Sequence, residues 1–138
     1  VCIDDVTHHR LHFVQVLRCQ LSVWELPYDF PFAPRGYFLV YGSLTEKTRG
    51  EHAHHCFKQF LVCVDGGCAV VVDNCSQRAE VVLNSPDIGL YLPPLIWGIQ
   101  YKFTQDAVLL VFASEKYDSN DYIRDYKQFL HVATGRKK

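Results

Sequence analysis

Arg49-Gly50-Glu51-His52-Ala53-His54 sets two imidazoles on alternate residues just downstream of a guanidinium, with Gln59 following. Alternate residues of a strand share one face, so His52 and His54 are expected side by side. Imidazole titrates near pH 6.5, so at neutral pH one ring can take a proton while the other gives one. Arg49 beside the pair adds an anion-binding group. The set suits general acid/base chemistry on a negatively charged substrate. The same two histidines could instead hold a metal.

The metal reading is weighed on the cupin motif, whose first half the His-x-His pair resembles. That motif continues with an acidic ligand about five residues on and a third histidine in a second segment. Here Gln59 takes the acidic position, and 89–101 contains no histidine. A catalytic divalent site usually keeps about three strong ligands. The reading is therefore a metal-free site that needs no cofactor. His55 should face away from the pair, as a surface or dimer-contact histidine.

The elements that must position this pair read as β-structure. Short apolar runs recur about every ten residues between turn signals, as in all-β sandwiches and barrels. Candidate strands are 11–17, 21–26, 36–41, 58–64, 68–72, 79–83, 88–92, 96–103 and 107–113. Pro27, Pro31 and Pro34 mark one loop, and 42–49 is a polar, turn-rich segment. Asp65-Gly66-Gly67 is expected to close a hairpin between 58–64 and 68–72, and 104–106 to join the last pair. The period then changes. Ser119 is expected to cap a helix over 120–130, with Asp121 in its first turn opposing the helix dipole. Tyr122, Ile123, Tyr126, Phe129 and Leu130 form its apolar stripe. The expected fold is all-β, a cupin-type double-sheet jelly roll with one C-terminal α-helix.

Composition narrows the function classes. The 138 residues suffice for one domain with a sizeable core, read as a single domain over 1–138. The net charge of −1 gives no electrostatic case for nucleic acid, and Arg136-Lys137-Lys138 reads as a solvated tail. No apolar run is long enough to span a membrane as a helix. The six cysteines include no C-x-x-C pair, so they are read as reduced thiols in a cytoplasmic protein. Methionine is absent; the expectation drawn from this is a processed chain or one cut from a longer fusion protein.

More specific segments follow: Arg49-Gly-x-His52-Ala-His54, Gln59-Phe-Leu-Val-Cys63-Val-x-Gly66, Ser85-Pro-x-x-Gly89-Leu-Tyr91-Leu-x-Pro94-x-x-Trp97, and Val108-Leu-Leu-Val-x-Ala113-Ser114-x-x-Tyr117-Asp118-x-x-Asp121-Tyr122-Ile123-Arg124-x-Tyr126. Together they resemble the dTDP-4-oxo-6-deoxy-D-glucose 3,4-oxoisomerases, over roughly residues 18–130. The resemblance implies a metal-independent isomerase that moves a ketone from C4 to C3 of a dTDP-sugar through an enediol, for 3-amino-3,6-dideoxy sugars of surface glycans. It implies His52 and His54 as the acid/base pair, His54 taking the C3 proton and His52 attending the oxygen. Tyr37 would hydrogen-bond into the pair. Arg35 and Arg49 would hold diphosphate or sugar hydroxyls, and Gln59 the sugar. Trp97 would wall the pocket. Gly98 stands where the family often carries a basic or imidazole side chain facing the sugar, leaving Arg18 or water to govern reprotonation at C4. Tyr117, Asp118 and Arg124 would fix the helix against the barrel. A homodimer is implied, as is fusion to an acyltransferase in some members. The rival readings are a dTDP-sugar 3,5-epimerase, marked by a His–Asp pair and a catalytic tyrosine, a metal-dependent cupin oxygenase, and a non-catalytic sugar-nucleotide-binding cupin.

Overall fold

Residues 3, 5–15, 17, 19–26, 30–43 and 48–137 are described by the computed structural model. Arg18, Cys2, Pro27 and residues 44–47 of the 42–49 segment lie outside them. The β-branched and aromatic runs form β1 (Thr7–Arg10), β2 (His12–Gln15), β3 (Gln20–Val23), β4 (Gly36–Tyr41), β5 (Arg49–His54) and β6 (Gln59–Asp65). They continue as β7 (Cys68–Asp73), β8 (Arg78–Leu83), β9 (Ile88–Leu92), β10 (Trp97–Tyr101), β11 (Val108–Ala113) and the two-residue β12 (Tyr122–Ile123). One antiparallel sheet runs β1-β9-β6-β11-β4, and the other runs β12-β5-β10-β7-β8. β2 and β3 pair separately. With one C-terminal helix, α1 (Tyr126–Lys137), this is the expected double-sheet jelly roll.

Alternation sorts the side chains into layers. Leu61, Cys63, Leu90, Leu109 and Val111 of the first sheet meet Val70, Val72, Val81 and Leu83 of the second in the main core. The outer face of the first sheet is also apolar. Phe60 and Val62 there lie under Trp24, Phe30 and Phe32, with Trp24 edge-on to Phe60 at 4.3 Å. The close approach depends on Gly89, where a Cβ would come within 2.2 Å of the Phe60 ring and 2.6 Å of Trp24.

Two expected hairpins prove to be crossings between sheets. β6 and β7 flank Asp65-Gly66-Gly67 but belong to different sheets, as do β10 and β11 around 104–106. The two corners pack on each other. Gly67 N donates to Thr104 Oγ1 at 3.0 Å, and Thr104 N donates to the Gly67 carbonyl at 2.9 Å. Gly66, at φ +63°, would place a Cβ 2.3 Å from Thr104 Oγ1, so the corner accepts only glycine. A turn signal marks where a strand stops and leaves open which sheet the next one joins.

The helix also differs from expectation. Ser119–Asp121 is a single 3₁₀ turn capped by Asp118, whose carboxylate accepts from Asn120 N. Tyr122–Ile123 then pairs with β5, and α1 starts only after Asp125, whose side chain accepts from Lys127 N at 3.0 Å. Part of the expected stripe still packs as a unit: Ile123 and Phe129 are buried with Ala53, Trp97 and Ala133. Among the described residues no helix is long and apolar enough to cross a membrane. Cys19, Cys56, Cys63, Cys68 and Cys75 are free thiols.

Asp73 ties α1 to the second sheet. Its carboxylate accepts from Tyr126 Oη at 2.5 Å, Cys75 N at 2.7 Å, and Arg78 Nη2 at 2.9 Å and Nε at 3.1 Å. Burial pushes the Asp73 carboxyl up, but the bonds from Tyr126, Cys75 and Arg78 outweigh it and hold it below the usual range. Asp73→Ala strands these donors and is expected to lower unfolding stability by about 2–3 kcal/mol in urea titration, with Tyr126→Phe costing less.

Candidate active site

β5 is the centre of the site, and its start is bulged. Gly98 of β10 pairs with His52, while Gln100 pairs with Arg49 rather than Gly50, so β5 carries one extra residue there. Gly50 sits at φ +63° in this bulge; bulges re-aim the side chains that follow them. Beyond it, alternation resumes. Ala53 faces α1 among Trp97, Ile123 and Phe129, and His52 and His54 share the other face, rings edge-on at 4.8 Å.

His54 is buried and donates from Nδ1 to Asp121 Oδ2 at 3.0 Å. A carboxylate only accepts, so the ring proton sits on Nδ1 and the lone pair on Nε2. Asp121 is equally buried and also accepts from Cys56 N at 2.9 Å and Phe57 N at 3.1 Å, while its carbonyl accepts from His55 N. The His54 ring stacks on Phe57 at 5.1 Å and packs against Tyr122 at 4.4 Å. Among the described residues Nε2 has no hydrogen-bond partner, although it is buried. Its lone pair is unused by those residues.

Both rings are held neutral. Burial, then His54, then Arg124 push His52 down to about 4. Burial also lowers His54, partly countered by the Asp121 hydrogen bond. Arg124 lies 4.2 Å over the Tyr122 ring, and that ring touches His52 at 4.9 Å.

A cavity of about 530 Å³, within the usual range for small-ligand sites, lies on the other side of rings that pack on the pair, and neither His52 nor His54 is in its wall. Phe57 and Tyr122, the rings packed on His54, form part of its wall; Arg35 and Lys116 supply cations. Of the residues expected from sequence, Arg35, Tyr37 and Gln59 line this cavity. Gln59 is buried, and Arg35 is exposed with an ion pair to Glu115 at 3.8 Å. Tyr37 does not make the expected hydrogen bond into the pair. It lies on the edge strand of the opposite sheet, 68% exposed, opposite Phe112; the ring on both histidines is Tyr122. Trp97 does not wall the cavity. It packs under α1 against Tyr126 at 5.3 Å and Phe129 at 5.7 Å. Trp97 and Gly98 are neighbours on one strand and must face opposite ways; Gly98 faces the histidines and Trp97 the helix. Arg49 is exposed at the start of β5 and is not part of the cavity wall. Among the described residues no group of three or more His, Cys, Asp or Glu side chains is arranged to hold a metal.

Asp121 and Tyr122 were missed as site residues because the apolar periodicity placed them in a helix. The available signal was an aspartate followed directly by Tyr122 and Ile123 in the Tyr-Asp-x-x-Asp-Tyr-Ile-Arg segment.

A jelly roll with a buried histidine on β5 coupled to an aspartate of the 3₁₀ turn, near a cavity with cations in its wall, defines a cupin-type protein. The chain belongs to the family described as FdtA, WxcM-like, C-terminal, which it matches over residues 4–134. It is 39% identical over 101 residues to the TDP-4-oxo-6-deoxy-alpha-D-glucose-3,4-oxoisomerase of Aneurinibacillus thermoaerophilus, covering 73% of each chain. A histidine-to-asparagine variant of the 3,4-ketoisomerase QdtA from Thermoanaerobacterium thermosaccharolyticum, solved with TDP-4-keto-6-deoxyglucose, superposes with a TM-score of 0.93 at 30% identity, covering 97% of both chains. A 3,4-ketoisomerase from Helicobacter canadensis gives 0.90 at 32% identity, over 94% of this chain and 98% of that one.

The lowered His52 pKa has a stability consequence. The unfolded chain protonates this ring near 6.5 and the folded chain near 4. Between those values the unfolded state binds more protons, so stability is full above about pH 6.5 and falls as the pH drops towards 4. A loss of about 2–3 kcal/mol is expected across that window. Chemical denaturation of wild type and His52→Asn at pH 7 and pH 4.5 should show a smaller loss in the variant.

Proposed function

We propose that the protein is a sugar-nucleotide 3,4-ketoisomerase, moving the keto group of a dTDP-4-oxo-6-deoxyhexose from C4 to C3 in deoxysugar biosynthesis. The single observation that carries the mechanism is the buried, unpartnered Nε2 of His54, its tautomer set by Asp121. A C3 hydrogen beside a C4 ketone is acidified because its loss gives a delocalised enolate. His54 Nε2 takes that hydrogen, and Asp121 steadies the imidazolium that results. His52 stays neutral and serves as a hydrogen-bond donor to the ketone oxygen, polarising it without becoming charged. The His54 imidazolium then returns the proton at C4, the hydroxyl hydrogen of O3 passes to O4, and O3 becomes the carbonyl. Arg35, with Lys116, meets the diphosphate, and Gln59 and Tyr37 meet the sugar nucleotide from the cavity wall.

On this reading residues 1–138 act as one cytoplasmic domain and pair as a homodimer. β4 is an edge strand with Tyr37, Phe38, Leu39 and Tyr41 all exposed. An apolar edge of this kind invites a partner, and a second copy offers the same strand.

The His54–Asp121 couple also supports a second reading. A dTDP-sugar 3,5-epimerase would use such a couple to remove a hydrogen at C3 or C5. NMR of dTDP-4-oxo-6-deoxyglucose turned over in deuterium oxide separates the two. A C3 ketone supports the isomerase, with deuterium at C4 to the extent that the proton held by His54 exchanges with solvent; deuterium at C5 establishes the epimerase. Nucleotide binding without any turnover would leave a binding module.

His54→Asn is expected to abolish turnover while TDP affinity stays within about tenfold, because a base at the reacting carbon adds little to ground-state binding. Asp121→Asn is expected to lower kcat by about 100-fold or more. The acid limb of kcat/KM should lie below pH 6.5, since His54 keeps its lone pair until the pH falls through its lowered pKa.

A further inference from the structure

Cys63 and Cys68 are the two buried thiols among the described residues, and they flank the crossing that carries the chain from the first sheet to the second. Alternation aims both inwards. Cys63 shares its face with Leu61 on β6, and Cys68 shares its face with Val70 and Val72 on β7, all within the main core. Only Val64, Asp65, Gly66 and Gly67 lie between them, and the bonds between Gly67 and Thr104 pin that corner.

The two thiols meet there as a chain of hydrogen bonds. Cys68 donates to Cys63, and Cys63 Sγ donates to the Asp65 carbonyl at 3.2 Å. Asp65 is exposed, so the thiol bonded to its carbonyl lies one residue beneath the surface. The bond from Cys68, helped by the backbone of Asp65 and Val108, outweighs burial and holds Cys63 below the ordinary thiol value. Its bond to Cys63, together with burial, pushes Cys68 up. One sulfur of the pair is thus the better nucleophile, and its neighbour keeps its proton.

We propose that Cys63 and Cys68 are a redox modification site, which hydrogen peroxide converts to an intramolecular disulfide that staples the two sheets at this corner. The Cys63 sulfur attacks one peroxide oxygen, the O–O bond breaks and hydroxide leaves, so that Cys63 becomes a sulfenic acid. The Cys68 sulfur then attacks Cys63; the S–S bond forms and the S–O bond breaks. The two thiol hydrogens and the two electrons given up by sulfur end in two molecules of water. A small-molecule thiol reverses the bridge by exchange. The corner stands at the opposite end of β6 from the cavity residue Gln59, so this role does not depend on what the cavity binds.

The test treats the native protein with a small excess of hydrogen peroxide and quenches it with catalase. Remaining thiols are blocked with N-ethylmaleimide in denaturant, and the tryptic peptides are weighed. The chain has no methionine, so oxidation of sulfur is confined to cysteine. The peptide 59–78 carries Cys63, Cys68 and Cys75. It is expected with one maleimide, on Cys75, and two hydrogens missing at Cys63 and Cys68; dithiothreitol before blocking restores all three maleimides. The oxidised protein is also expected to unfold at a higher urea concentration than the reduced one, because the bridge restricts the unfolded chain. A peptide that keeps three maleimides after peroxide overturns the proposal. So does a bridge to any other cysteine, a sulfinic acid at Cys63 without a bridge, or a bridge that lowers the urea midpoint.

Discussion

The Asp121 carboxylate gathers N–H donors from His54, Cys56 and Phe57 into one buried point. An ionised group out of water costs several kcal/mol unless it is fully hydrogen-bonded, and three donors, one of them a side chain in the site, meet that demand. The geometry that satisfies the charge also builds the site. It fixes the turn that follows β5, draws 122–123 against β5 as the edge strand of the second sheet, and decides which imidazole nitrogen keeps its lone pair. Remove that carboxylate and the same residues would have no common reference point.

The second sheet separates chemistry from scaffolding by strand alternation alone. On β5 and β10 one face holds His52, His54 and Gly98, and the other holds Ala53 and Trp97 under α1. Asp73 then anchors the helix through Tyr126, so the back of β5 is clamped while its front carries the two histidines. Burial supplies the remaining ingredient: both imidazoles are kept uncharged by desolvation and by Arg124.

Much of this was legible in the chain. The His-x-His spacing placed two rings on one face, and the strand-prone runs located most of the strands that make the core. Three things were not legible, each for a physical reason. Turn chemistry at 65–67 and 104–106 is the same for a hairpin and for a crossing, so sheet membership was misjudged. Tyr122 and Ile123 fit a helical stripe as well as a strand, and only the distant tie from Asp121 to β5 selects the strand. Trp97 next to Gly98 could not both face a ligand, yet which of them does depends on the position of α1, which no local pattern contains.

Gly89 controls something far from the chemistry. The indole of Trp24 is seated on Phe60 only because position 89 contributes no side chain. A methyl group there would lift the aromatic cover from the back of the first sheet and bare Phe60 and Val62 to solvent. The fault would surface as clumping and poor yield rather than as slow turnover, so a gene carrying it would look like a solubility lesion while its proton-transfer residues remained intact.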